Sequence, residues 1–201
     1  MKEKNYLFYR KIITIVLFIN TLLLIIIKLS NLIKVNNENY EVNSYFSNYN
    51  EEIGYINNNK NNEEYLGILE IKKIKLRKGF YKLNSNLNNV DKNITIVSSS
   101  DMPNVNKGNL ILASHSGNSS VSYFRYLDKL DMEDIASIYY LGKKYDYKLI
   151  NYYDVDKNGS VQIIKNNDIN TLTLITCKKN TDKQTVFIFE LNKEGKLYDE
   201  R

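Results

Sequence analysis

Thr171-Leu172-Thr173-Leu174-Ile175-Thr176-Cys177, followed at once by Lys178, Lys179 and Asn180, reads as a buried β-strand that surfaces at its C-terminal end. Its apolar and β-branched residues suit a strand, and the polar residues beyond Cys177 mark the chain reaching solvent. Runs of the same texture lie on either side. Upstream are residues 66–71 (LGILEI), with Ile74 and Leu76 continuing the alternation, then 93–97 and 109–113 (NLILA). Residues 136–141 and 145–153 follow, with Gly142 as the turn between them, then 161–164, and downstream 185–191 (TVFIFEL). About eight strands separated by Gly, Asn and Asp turns make an all-β closed barrel or a sandwich. One amphipathic helix is expected at residues 123–130, where Phe124, Leu127 and Leu130 recur at helical spacing.

The N-terminal segment obeys a different rule. Residues 12–27 (IITIVLFINTLLLIII) carry no charge and are bounded by Lys11 and Lys28. With Tyr9 and Leu29 the run reaches the length of a membrane-spanning helix, about 20 residues, if the lysines snorkel to the headgroups. Lys2, Lys4, Arg10 and Lys11 precede it against the single acid Glu3, so the N-terminus is expected in the cytoplasm and the rest outside. Lys28-Leu29-Ser30-Asn31 is a poor cleavage site for a signal peptide, which leaves an uncleaved anchor as the reading. The expected organisation is a cytoplasmic N-terminus at 1–11, an anchor at 12–29, a polar spacer at 30–62 and a barrel at 63–201. Within the spacer one short helix is expected near Tyr40 and Tyr49.

Composition narrows the function classes. The 201 residues hold one cysteine, which excludes an intrachain disulfide, and one histidine, which with that cysteine cannot fill a common zinc site. No metal or cofactor is expected. The net charge of +5 is spread over lysines interleaved with acids, so nucleic acid is not an expected partner. Asp154, Asp156, Asn158 and Gly159 superficially suggest a calcium loop, but the later bidentate Glu is missing, and a turn is the reading.

Two residues remain for chemistry. A free cysteine is usually a small buried hydrophobe, whereas Cys177 sits where a strand surfaces, beside two lysines that favour a thiolate. His115 follows the run 109–113 into the polar turn Ala113-Ser114-His115-Ser116-Gly117. A cysteine nucleophile needs a base within hydrogen-bond reach, and His115 is the one histidine able to supply it.

These residues resemble a family. Thr173-Leu174-Ile175-Thr176-Cys177 is similar to the T-L-x-T-C motif of bacterial sortases, and residues 109–117 (NLILASHSG) resemble the strand and loop that carry the family histidine. Leu66-Gly67-Ile68-Leu69-Glu70-Ile71 resembles the opening strand, and Ser100-Asp101-Met102-Pro103 is similar to clostridial-type members. The resemblance covers residues 65–191. It implies a closed eight-stranded sortase-like β-barrel with short helices behind one transmembrane anchor, and a transpeptidase that cleaves an LPXTG-like C-terminal sorting signal on secreted proteins. Cys177 would form a thioester at the Thr–Gly bond, His115 would protonate the leaving amine, and an amine of a lipid II-type cell-wall precursor or a pilin lysine would release the acyl group. The sequence departs from the family at two places. Lys72 stands where proline is common, and Gln184 stands where the family has an arginine thought to stabilise the oxyanion, with Lys183 beside it. Gln184 is the first choice for that role and Lys183 the second, while Arg125 reads as an exposed helix residue. The missing arginine keeps two alternatives open, a weakened barrel that only binds peptides and a thiol hydrolase.

Overall fold

The computed structural model describes residues 2–47 and 64–196. The chain divides into two compact units, Met1–Glu41 and Val42–Arg201. The first holds all but the C-terminal end of the helix α1 (Lys2–Ser47), which runs unbroken through the apolar stretch. Leu17, Phe18 and Leu24 are each at least 60% exposed, a surface suited to lipid, and a helix satisfies its own backbone groups there. Among the described residues it is the one helix long and apolar enough to cross a membrane. The helix continues to Ser47, so the first part of the expected spacer is helical. The remainder, residues 48–62, lies outside the described residues.

The last turn of α1 belongs to the second unit, where Val42 is buried. The Tyr45 hydroxyl donates to Tyr139 O at 3.2 Å. The Phe46 ring meets Tyr139 edge-on at 5.0 Å, with the Arg77 guanidinium 4.7 Å from its own centroid.

The rest of that unit is a barrel. Its strands are β1 (Gly67–Ile71), β2 (Leu76–Phe80), β3 (Thr95–Ile96), β4 (Asn109–Ala113), β5 (Ile135–Tyr140), β6 (Lys143–Asp156), β7 (Thr171–Cys177) and β8 (Lys183–Lys196). They form one mixed eight-stranded sheet in the order β2-β1-β5-β6-β8-β7-β4-β3. A parallel bridge between Phe80 and Ile94 brings the two edges together, so the sheet is nearly closed. Closure hides the edge groups that an open sheet would leave unpaired. Leu110, Leu112, Leu172, Leu174, Phe187 and Phe189 alternate inward from β4, β7 and β8 and are all at least 96% buried. The parallel pairing of β4 with β7 is pinned at its start by Asn109, whose Oδ1 accepts from Thr171 Oγ1 and Thr173 Oγ1, both at 2.9 Å.

Three sequence expectations are corrected. Ile74 and Leu76 do not continue the first strand, because a 3₁₀ turn at Lys72–Ile74 and Lys75 at φ 54° reverse the chain and pair Ile71 with Leu76. Residues 161–164 form no strand; the Tyr153 hydroxyl holds them by donating to Gln162 O (2.9 Å) and accepting from Ile164 N (2.6 Å). Residues 123–130 make successive i to i+3 turns, with one 3₁₀ helix at Leu127–Lys129, rather than an α-helix. Phe124, Leu127 and Leu130 are buried as expected, since spacing of three suits a 3₁₀ turn equally well.

Candidate active site

Cys177 is the last residue of β7, and His115 stands two residues beyond the end of β4. Because β4 and β7 are parallel neighbours with Ala113 level with Ile175, two further residues along each strand bring His115 level with Cys177. Side-chain bonds keep the ends together past the ladder. Ser114 N donates to Ile175 O (3.3 Å), Thr176 Oγ1 donates to Ser114 O (2.8 Å), and Ser116 Oγ donates to Cys177 O. Cysteine and histidine therefore leave the sheet at one rim.

A groove of about 550 Å³ opens at that rim. Its floor is apolar, built from Phe124, Leu130 and Phe187, with Tyr152 stacked on Phe187 at 5.8 Å. Cys177, half-buried, lies in its wall beside Thr176, Ser116 and Thr185. The apolar floor lies under a wall rich in charged and hydroxyl groups: Arg125, Asp128, Asp154, Lys178 and Lys179 line it with Ser116, Thr176 and Thr185.

Charge in this wall is more balanced than the sequence indicates. Lys178 donates to Asp154 Oδ2 at 2.5 Å, and Lys179 donates to Asp128 Oδ2 at 2.9 Å. The two lysines after Cys177 are thus carboxylate-paired, so their charge is balanced locally. The hydrogen bond from Lys178 holds the Asp154 carboxyl below its ordinary value of 3.8, helped by the Thr185 hydroxyl at 2.8 Å.

His115 is 39% exposed, and its Nε2 lies 3.0 Å from Asp91 Oδ1. Gln184 faces Cys177 directly across the antiparallel β7–β8 pair, so their side chains share a face with Cβ atoms about 5 Å apart. Lys183 is one residue further out, its carbonyl accepting from Lys178 N at 2.9 Å, and neither it nor Gln184 lines the groove. Arg125 is corrected in its surroundings: it lies in a turn, not a helix, and it lines the groove. Its Nε donates to Gly117 O and its Nη2 to Ser119 O, each at 2.8 Å. Neither Asp91 nor Asp128 carries a local sequence signal, and Asp154 reads in sequence only as part of a turn; the topology brings the three to His115, Lys179 and Lys178.

The profile of the sortase domain matches residues 69–191, more than half of the chain. The chain belongs to the sortase family. Solved structures agree on the fold. A Clostridium perfringens sortase D5 transpeptidase matches with a TM-score of 0.61 at 23% identity, over 78% of this chain and 98% of that one. Listeria monocytogenes sortase A matches with a TM-score of 0.57 at 26% identity, over 68% and 92%. Streptococcus pneumoniae sortase C, a structure described in terms of catalysis and pilin substrate specificity, matches with a TM-score of 0.57 at 17% identity, over 64% and 66%. No curated protein matches the chain significantly. As a sortase the protein is a cysteine transpeptidase on a nearly closed eight-stranded barrel.

Proposed function

We propose that this sortase cleaves an LPXTG-like C-terminal sorting signal on secreted proteins and transfers the acyl fragment to an amine. The observation that carries the reading is that Cys177 ends β7 while His115 follows two residues beyond the adjacent parallel β4 at the same rim, where Cys177 lines a groove. The Cys177 thiolate attacks the carbonyl carbon of the Thr–Gly bond, and the C–N bond breaks as the imidazolium of His115 gives its proton to the leaving amine. The thioester is then attacked by the acceptor amine, a lipid II-type precursor or a pilin lysine, which returns a proton to His115 and frees Cys177. This is covalent catalysis with one shared acid–base group.

Gln184 serves the oxyanion as a neutral hydrogen-bond donor in our reading, since it stands level with Cys177; Lys183, one residue away, is the second choice. In the proposed topology residues 1–11 are cytoplasmic, 12–29 span the membrane, 30–62 act as a spacer, and 63–201 form the extracytoplasmic catalytic domain. The basic flank at Lys2, Lys4, Arg10 and Lys11 supports that orientation.

The test incubates the full chain in detergent micelles with an LPXTG-type peptide and an amine acceptor. Ligated product that disappears in Cys177→Ala is the expected result. Free acid as the sole product would replace transfer by hydrolysis, and turnover that survives Cys177→Ala would remove the mechanism.

A further inference from the structure

The imidazole of His115 is carried by a turn, not a strand, and a catalytic side chain is only as well placed as the element that holds it. Residues 114–116 are tied to β7 by the Thr176 and Ser116 hydroxyls, and His115 O accepts from Phe124 N at 3.0 Å. The far half of the turn has little packing. A Cβ built on Gly117 would find Ser122 Oγ, 3.6 Å away, as its one neighbour within 4 Å. Besides the Ser119–Ser122 bonds (Ser122 N to Ser119 O at 3.2 Å and the two hydroxyls at 2.9 Å), this half is reached by Arg125, whose guanidinium donates to Gly117 O and to Ser119 O, both at 2.8 Å. The root of that fork is fixed, because Phe124 and Leu127 on either side of it are 1% and 0% exposed.

The charges of the groove point the same way. Three cationic side chains line it: Arg125, Lys178 and Lys179. The two lysines are paired with Asp154 and Asp128. The bonds described for Arg125 go instead to neutral backbone oxygens, and charge-assisted bonds of this kind are about twice as strong as neutral ones. Two parallel donors from one rigid plane fix a turn's conformation in a way that a single flexible ammonium does not.

We infer that Arg125 is a positioning residue: its guanidinium sets the conformation of the turn bearing His115, and through it the place at which the imidazole meets Cys177 and the leaving amine. The inference rests on the proposed role of His115 as acid–base group. It assigns Arg125 no contact with the reacting atoms.

The test uses the full chain in detergent micelles, with Arg125→Gln and Arg125→Lys. A misplacement of about 1 Å far from the bond being made costs about 10²-fold, so kcat is expected to fall by that order in Arg125→Gln with KM little changed. Arg125→Lys, which keeps the charge and loses the fork, is expected to fall nearly as far. Added guanidinium ion is expected to restore part of the rate to Arg125→Ala. His115 is the chain's one histidine, so selective ¹⁵N-histidine labelling yields one imidazole to observe, with no substrate required. One narrow set of ring resonances in the wild type, broadened or doubled in Arg125→Gln at an unchanged melting temperature, supports the inference. Unchanged resonances and kcat, or a loss confined to KM, would overturn it. If Arg125→Gln melts early, the same measurements on Arg125→Lys decide. A wild type that ligates no sorting peptide would sink the proposed sorting-signal function, yet the ring resonances would still report whether Arg125 holds the turn.

Discussion

At the scale of single residues, Gln184 invites a direct swap. It lies level with Cys177, and an arginine there would add a charged fork on the same face of the sheet. Gln184→Arg is expected to raise kcat with a sorting peptide, by up to the 10²-fold that one oxyanion donor is worth elsewhere, measured by the rate of ligation. An unchanged rate would move the role to Lys183. His115→Ala is expected to abolish ligation nearly as completely as loss of the thiol. Asp154 ties its surroundings to pH. Its carboxyl is held below 3.8 by the bond from Lys178, so the folded chain binds this proton less readily than the unfolded chain does. The resulting stability is full above 3.8 and is lost as pH falls through the lowered value. Asp154→Asn should therefore lower the melting temperature at neutral pH, by a gap that narrows when the comparison is repeated at an acid pH below 3.8. Equal gaps at both pH values would count against the Lys178 bond as the cause.

At the scale of elements, the β5–β6 hairpin turns through Leu141 and Gly142 at φ 47° and 68°. Two left-handed residues are what a tight hairpin needs, and glycine meets that need without strain. Leucine does not, and at 47% exposure it gains little from burial. Leu141→Asn is expected to stabilise the barrel by about 1 kcal/mol, read as a rise in melting temperature of a few degrees. This hairpin was legible in sequence because its signal is local, a glycine between two β-type runs. The strand 109–113 and the end of β7 were legible for the same reason, and with them Cys177 and His115, each at the point where an apolar run meets polar residues. Residues 161–164 misled because an apolar run becomes a strand only if an edge is there to receive it. Here the Tyr153 hydroxyl took up the backbone instead. The stretch 123–130 misled because spacing of three fits both helix types, and a run so short nucleates an α-helix poorly. The acids that neutralise Lys178 and Lys179 come from β6 and from the turns before β5, a meeting that the barrel's strand order creates and no short window of sequence contains.

At the scale of the whole molecule, the second unit begins at Val42, before the first strand. Val42 is 2% exposed, and Phe46 packs on Tyr139 and Arg77. A chain begun at Val42 is expected to melt about 4–8 °C above one begun at Glu64, from roughly 2 kcal/mol of apolar burial. Equal melting temperatures would show that these contacts contribute nothing to the barrel. The parallel placement of β4 beside β7 has a further result during synthesis. Histidine emerges from the ribosome 62 residues ahead of cysteine, and β8, which flanks β7 on its other side, follows later still. A nascent polypeptide that has reached Cys177 but not β8 thus carries both groups without the strand that flanks β7, and transpeptidation is expected only once β8 has been made.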